Sequence, residues 1–184
     1  MMTSNNINNI FSLFCEGKKL ALYDKQPFLD ADACPDIEQK HVTNFSSLSN
    51  KYDMLILDNL GNVSEIVNLL GKTTENGCAV ILLKNKTLKE KLCIAFRLIS
   101  FRIYAKKWRL KFRGYFLLPN DANPTQLVSC QKYLAQQYFH KHYHWQYNEE
   151  PKKTKRFFKH LMYMLNAFYF NENYFLFWVS KNAK

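Results

Sequence analysis

Hydrophobic and polar positions alternate most legibly between Tyr52 and Lys84, YDMLILDNLGNVSEIVNLLGKTTENGCAVILLK. Met54–Leu57 is an unbroken apolar run closed by Asp58 and Asn59. Val63, Ile66, Val67, Leu69 and Leu70 then recur at helical spacing and give one apolar face. After a turn at Gly77, Cys78–Leu83 is a second apolar run. Short strands that are apolar on both faces and joined by a helix predict a parallel sheet covered on both sides.

The flanking pattern extends this unit. Leu20–Tyr23 is a short apolar run ending at Asp24, and residues 25–40, with Pro27 and Pro35, predict a loop. His41–Phe45 predicts a short strand. A helix is expected from Thr87 to about Lys107, with a capping box of Thr87 and Glu90 and an apolar stripe of Leu92, Phe96, Ile99 and Ile103. Gly114–Pro119 predicts a strand, Thr125–Phe139 a helix, and His140–Asn148 an irregular segment. A basic helix is expected from Pro151 to about Phe170, and a last strand over Asn173–Ser180. The expected architecture is a single α/β domain over residues 1–184: a three-layer, mostly parallel Rossmann-like sheet of about six strands, with an antiparallel strand near the C-terminus. Residues 1–17 are a polar N-terminal segment.

Composition sharpens the functional question. Apolar residues make up 47% of the chain and aromatic ones 16%, which excludes global disorder. No run is apolar enough for a spanning helix, and the N-terminus lacks the pattern of a secretory signal, so a cytoplasmic location is expected. The five cysteines, with no C-x-x-C pair, predict buried thiols in a reducing compartment. The net charge of +11 is unevenly distributed. Residues 1–76 carry six Lys/Arg against ten Asp/Glu, while residues 77–184 carry twenty against five, including all five arginines. A basic half over 85–184 points to an anionic partner: nucleic acid, lipid head groups or a phosphorylated glycan. Lysine accumulated on solvated faces by compositional bias is the other explanation.

The order of elements resembles the class I S-adenosylmethionine-dependent methyltransferases. Leu20–Asp24 is similar to that family's second strand, whose terminal acid accepts bonds from the cofactor ribose. Asn44 and Phe45 stand where the family has residues beside the adenine. Lys51–Asn59 is similar to its fourth strand, which ends facing the methyl donor, and Glu75–Leu82 to its Gly-containing turn into a fifth strand. The resemblance implies S-adenosylmethionine as cofactor, held by Asp24, Asn44, Phe45, Asp58 and Asn59, and a transferase acting on a glycan, lipid or nucleic acid. The family's Gly-rich cofactor loop has no counterpart, since the chain has five glycines and no G-x-G.

Outside the resemblance, the sharpest binding signal is the acid-free run from Arg97 to Arg113. Arg97, Arg102, Lys106, Lys107, Arg109 and Arg113 are its candidate anion-binding residues, interleaved with Phe101, Tyr104, Trp108 and Phe112. A second basic group, Lys152, Lys153, Lys155, Arg156 and Lys159, opens the last helix against the helix dipole. His140, His142 and His144 would share one face if extended, but they lack a carboxylate or Cys cluster, and no metal site is assigned. Two functions remain open: a methyltransferase-like enzyme, and a non-catalytic basic module for nucleic acid, a membrane surface or a protein complex.

Overall fold

A computed structural model describes residues 18–23, 36–43, 51–57, 63–84, 87–118, 126–149, 153–165, 167–168, 172 and 174–181. Their strands are β1 (Leu20–Tyr23), β2 (Glu38–His41), β3 (Tyr52–Leu57), β4 (Thr73–Lys84), β5 (Leu110–Leu118), β6 (Gln126–Ser129) and β7 (Tyr174–Lys181). Their helices are α1 (Val63–Gly71), α2 (Leu88–Lys107), α3 (Lys132–Glu149) and α4 (Lys153–Met164). The strands form one seven-stranded mixed sheet in the order β2-β1-β3-β4-β7-β5-β6. The first four are mutually parallel, whereas β7 runs antiparallel to both β4 and β5, and β6 antiparallel to β5.

The β3–α1–β4 unit forms as its pattern dictates. Met54–Leu57 and Cys78–Leu83 are buried, and α1 buries Ile66, Leu69 and Leu70. Its C-terminal carbonyls are closed by side chains from the adjoining strands. Tyr52 Oη donates to the Leu69 carbonyl at 2.6 Å, and Thr73 Oγ1 donates to that of Leu70 at 2.8 Å. Burial pushes the Tyr52 hydroxyl well above its usual range, so it stays a neutral donor. The turn expected at Gly77 ahead of the strand is absent; instead β4 begins at Thr73 and runs through Gly77, and the pairing with β3 slips in a bulge between Thr73 and Cys78. A Cβ on Gly77 would meet the Thr73 Cβ at 2.2 Å, which is why glycine stands there.

The core lies between the sheet and α1, α2 and α3. α2 contributes Ile94, Leu98, Phe101 and Ala105, and α3 contributes Ala135 and Phe139. Aromatic rings fill the space over β5 and β7: Phe112 stacks on Phe177 at 5.5 Å, and Phe139 stacks on Phe168 at 4.7 Å. The opposite face carries a second apolar cluster, built by Ala21, Met54, Ile56, Val80 and Leu176 with Ile37. Among the described residues no helix covers that face, so two of the three expected layers are on view.

Several expectations need correction. Residues 38–40 form β2 rather than loop, and Val42 and Thr43 do not extend it; the rest of the strand expected to Phe45 lies outside the described residues. The expected helix over 125–139 begins as an edge strand, β6, because Leu127 and Val128 pair with Leu117 and Phe116. The expected irregular piece at 140–148 continues α3 instead. The last helix ends at Met164, short of Phe170. The thiol of Cys93 is exposed, whereas Cys78 and Cys130 are buried as expected; Cys15 and Cys34 lie outside the described residues. The stripe Leu92, Phe96, Ile99 and Ile103 faces solvent, and the core is met by the other flank of α2.

Candidate anion-binding site

Two residues of the Arg97–Arg113 run line a cleft of about 640 Å³, bounded by Arg102, Phe112, Arg113, Gly114, Gln131 and Lys132, among others. α2 supplies Arg102 from its last turns. It is held in place by the burial of Phe101 and Ala105 on either side of it in sequence. β5 supplies the floor. β6 pairs with β5 only between Tyr115 and Leu118, so the cleft opens beside the first half of β5, where β6 has ended. Gly114 has a packing reason: its Cβ would lie 2.8 Å from the Phe177 ring. The Gly114 carbonyl accepts from the Cys130 N–H at 2.8 Å, which ties the end of β6 to the cleft floor.

α3 starts at the cleft rim. Ser129 Oγ accepts from the Gln131 N–H at 3.2 Å, and the Gln131 carbonyl accepts the first helical bond from Ala135 at 2.9 Å. The amides of the first turn therefore project at the N-terminal, electropositive end of an eighteen-residue helix. Lys132 sits in that turn, where a cation opposes the helix dipole. Helix stability does not account for it, and the exposed Arg102 lines the same cleft. The Arg113 guanidinium lies 5.6 Å from the Trp178 ring centroid, a cation–π contact on the sheet face opposite α2 and α3, so Arg113 lines the cleft from β5 while its charged end is turned away from Arg102 and Lys132. Phe112 adds an aromatic surface to the cationic rim.

The other candidates fare differently. Arg97 is exposed on α2 but projects from a different side of the helix than Arg102, five residues away. Lys106 and Lys107 are exposed in its last turn, and Arg109 lies in the turn after it. The six cations are thus a distributed field, of which Arg102 and Arg113 line the cleft. Of the second basic group, Lys153 and Lys155 are exposed, Arg156 and Lys159 are half-buried, and Lys152 lies outside the described residues. The three histidines fall on a helix rather than a strand, so the one face that an extended segment would give all three is lost. Among the described residues no group of three His, Cys, Asp or Glu is placed to hold a metal ion. Asp24, Asn44, Phe45, Asp58 and Asn59 all lie outside the described residues. Lys132 and Gln131 were missed because a helix beginning at residue 125 would have buried them mid-helix. The Ser129-Cys130-Gln131 step held the signal, since a serine side chain readily starts a helix.

Comparisons with known proteins add little. No family model and no curated protein matches the chain. Among solved structures it is similar to an O-methyltransferase from a trans-AT polyketide synthase multienzyme of Brevibacillus brevis, crystallised with S-adenosyl-L-homocysteine. That match has 12% identity and a TM-score of 0.41, and spans 95% of this chain and 71% of the other.

Proposed function

We propose that this α/β domain is a binding module whose basic half takes a phosphate-bearing ligand. The observation that carries the reading is that Arg102, Lys132 and the start of α3 line one cleft. Arginine forks and free helix-end amides match the oxygens of a phosphate group. A cleft of about 640 Å³ has the size of small-ligand sites, and Phe112 offers a ring to an aromatic or apolar part of the same ligand.

The geometry favours binding over methyl transfer at this cleft. A donor held at the carboxyl ends of β1 and β3 would lie three to four strands from β5. At about 4.8 Å per strand that is roughly 14–19 Å, whereas transfer needs near contact. Calorimetric titration with inorganic pyrophosphate tests the reading. The wild-type chain is expected to bind, and Arg102→Glu with Lys132→Glu is expected to weaken binding by about tenfold or more, since each lost charge-assisted bond is worth on the order of 1.5 kcal/mol. Both side chains are exposed, so the fold should survive, as circular dichroism would show. Unchanged affinity in the double variant would remove this reading. Heat from S-adenosylmethionine that the two substitutions leave untouched would favour the enzyme instead.

A further inference from the structure

We infer that the outer faces of α2 and α4 form a docking surface for an anionic lipid bilayer. α2 carries two apolar stripes. Ile94, Leu98, Phe101 and Ala105 fill the core, while Leu88, Leu92, Phe96, Ile99 and Ile103 run along the opposite flank in solvent. Phe96 is 69% exposed and Ile103 65%. From residue 88 to 103 this second stripe is about 22 Å long at 1.5 Å per residue.

α4 repeats the feature in a more extreme form, because its polarity is inverted. Arg156, Lys159 and His160 are half-buried against the protein, and Phe157, Phe158, Leu161 and Met164 are exposed. A helix that only had to pack here would turn the other way. Lys91 of α2 and Lys159 of α4 both act on the Glu172 carboxyl, so the first turns of α2 and the middle of α4 lie in one region of the molecule. Two outward apolar faces in that region exceed the scattered apolar residues of an ordinary surface.

The surroundings of the stripes select the partner. Lys89, Arg97, Lys106 and Lys107 are exposed along α2, and Lys153 and Lys155 along α4. The one acid on α2, Glu90, is engaged in the capping box, where its carboxylate accepts from the Thr87 N–H at 2.9 Å. A second copy of this chain would bring the same cations face to face, with five acids among residues 77–184 to offset twenty cations. Nucleic acid would leave the leucines and isoleucines unused, since aliphatic side chains do not stack on bases. A bilayer with anionic head groups uses both features: apolar side chains enter the acyl boundary and lysines meet phosphates. Trp108, exposed where α2 ends, stands where an interfacial aromatic belongs. No helix among the described residues is long and apolar enough to cross a membrane, so the contact is with the surface.

Co-sedimentation of the full chain with vesicles tests this. The wild type is expected to pellet with phosphatidylglycerol–phosphatidylcholine vesicles and to stay in solution with phosphatidylcholine alone. Phe96→Ser with Ile103→Ser keeps every cation and should lower the affinity for anionic vesicles by about tenfold or more. The same variant should bind pyrophosphate as the wild type does, which separates this surface from the cleft. Equal sedimentation of variant and wild type would overturn the inference. So would failure of the wild type to sediment, or a dimer in light scattering that the two serines dissociate.

Discussion

Asp53 shows how much one side chain at a strand end can organise. It is the second residue of β3, and its Oδ2 accepts from the Lys19 and Leu20 amides at 2.9 and 3.1 Å, while Oδ1 accepts from Thr74 Oγ1 at 2.7 Å. One carboxylate thus ties the starts of β1, β3 and β4. Partial burial pulls its pKa upward. The bonds from Thr74, Lys19 and Leu20, with the nearby Lys18 charge, outweigh that and hold it below the ordinary 3.8. A carboxyl depressed in the folded state stabilises above its unfolded pKa, and the contribution is lost as pH falls through the folded value. Asp53→Asn should therefore cost about 1 kcal/mol at pH 7, a figure already reduced for water around a half-buried group. The gap to wild type should close at acidic pH, where both side chains are neutral. Urea unfolding at several pH values measures it, and a gap independent of pH would contradict the assignment.

At the scale of elements, the sequence was most readable where one period ruled. Tyr52–Lys84 folds as its apolar runs indicate because the strands are buried on both faces and the helix has a single stripe. It misled where two patterns overlapped. α2 has apolar residues on two flanks, and periodicity cannot say which flank meets a core built by β5 and β7, far along the chain. The edge strand β6 was hidden for a similar reason: four residues are too few to show a period, and their pairing with β5 decides the outcome. The cleft followed these errors, since Arg102 and Arg113 were legible as cations but Lys132 gained meaning only from the true start of α3. The end of α2 offers its own test. Arg109 has φ of 52°, a left-handed conformation that helix ends usually assign to glycine. Arg109→Gly should raise the unfolding free energy by about 0.5–1 kcal/mol, net of the freedom glycine adds to the unfolded chain. For a chain of this size that is a rise of roughly 1–4 °C in melting temperature. A lower melting temperature would show that the arginine side chain contributes more than its backbone costs.

Across the whole molecule, α2, α3 and α4 meet around Glu172. Burial pushes this carboxyl up to about 7 from an ordinary 4.5, against the pull of Lys159 and Lys91. The same surroundings act on the partners. Burial lowers Lys91 despite the opposing pull of Glu172, and burial together with the Glu172 charge raises Tyr138. A carboxyl whose folded pKa is raised holds its proton more tightly in the folded chain. Its stabilising contribution is complete below about 4.5 and is lost as pH rises through about 7. The folded protein should thus lose on the order of 2 kcal/mol between pH 5 and pH 8 through this one residue. Glu172→Gln removes the titration while keeping the side chain's shape. The stability difference between wild type and variant should therefore shift by that amount across the window, in the direction of a relatively weaker wild type at pH 8. Denaturant unfolding at pH 5, 6, 7 and 8 measures the shift. A difference that stayed constant would mean that Lys159 and Lys91 keep the carboxylate charged throughout. An ionised Glu172 gains more from water than from its buried surroundings, so at higher pH the opening that exposes it should ease, first in α4, whose Lys159 lies by it. Amide exchange in Lys153–Met164 should then quicken before that of the β4–β7 pair in the sheet centre.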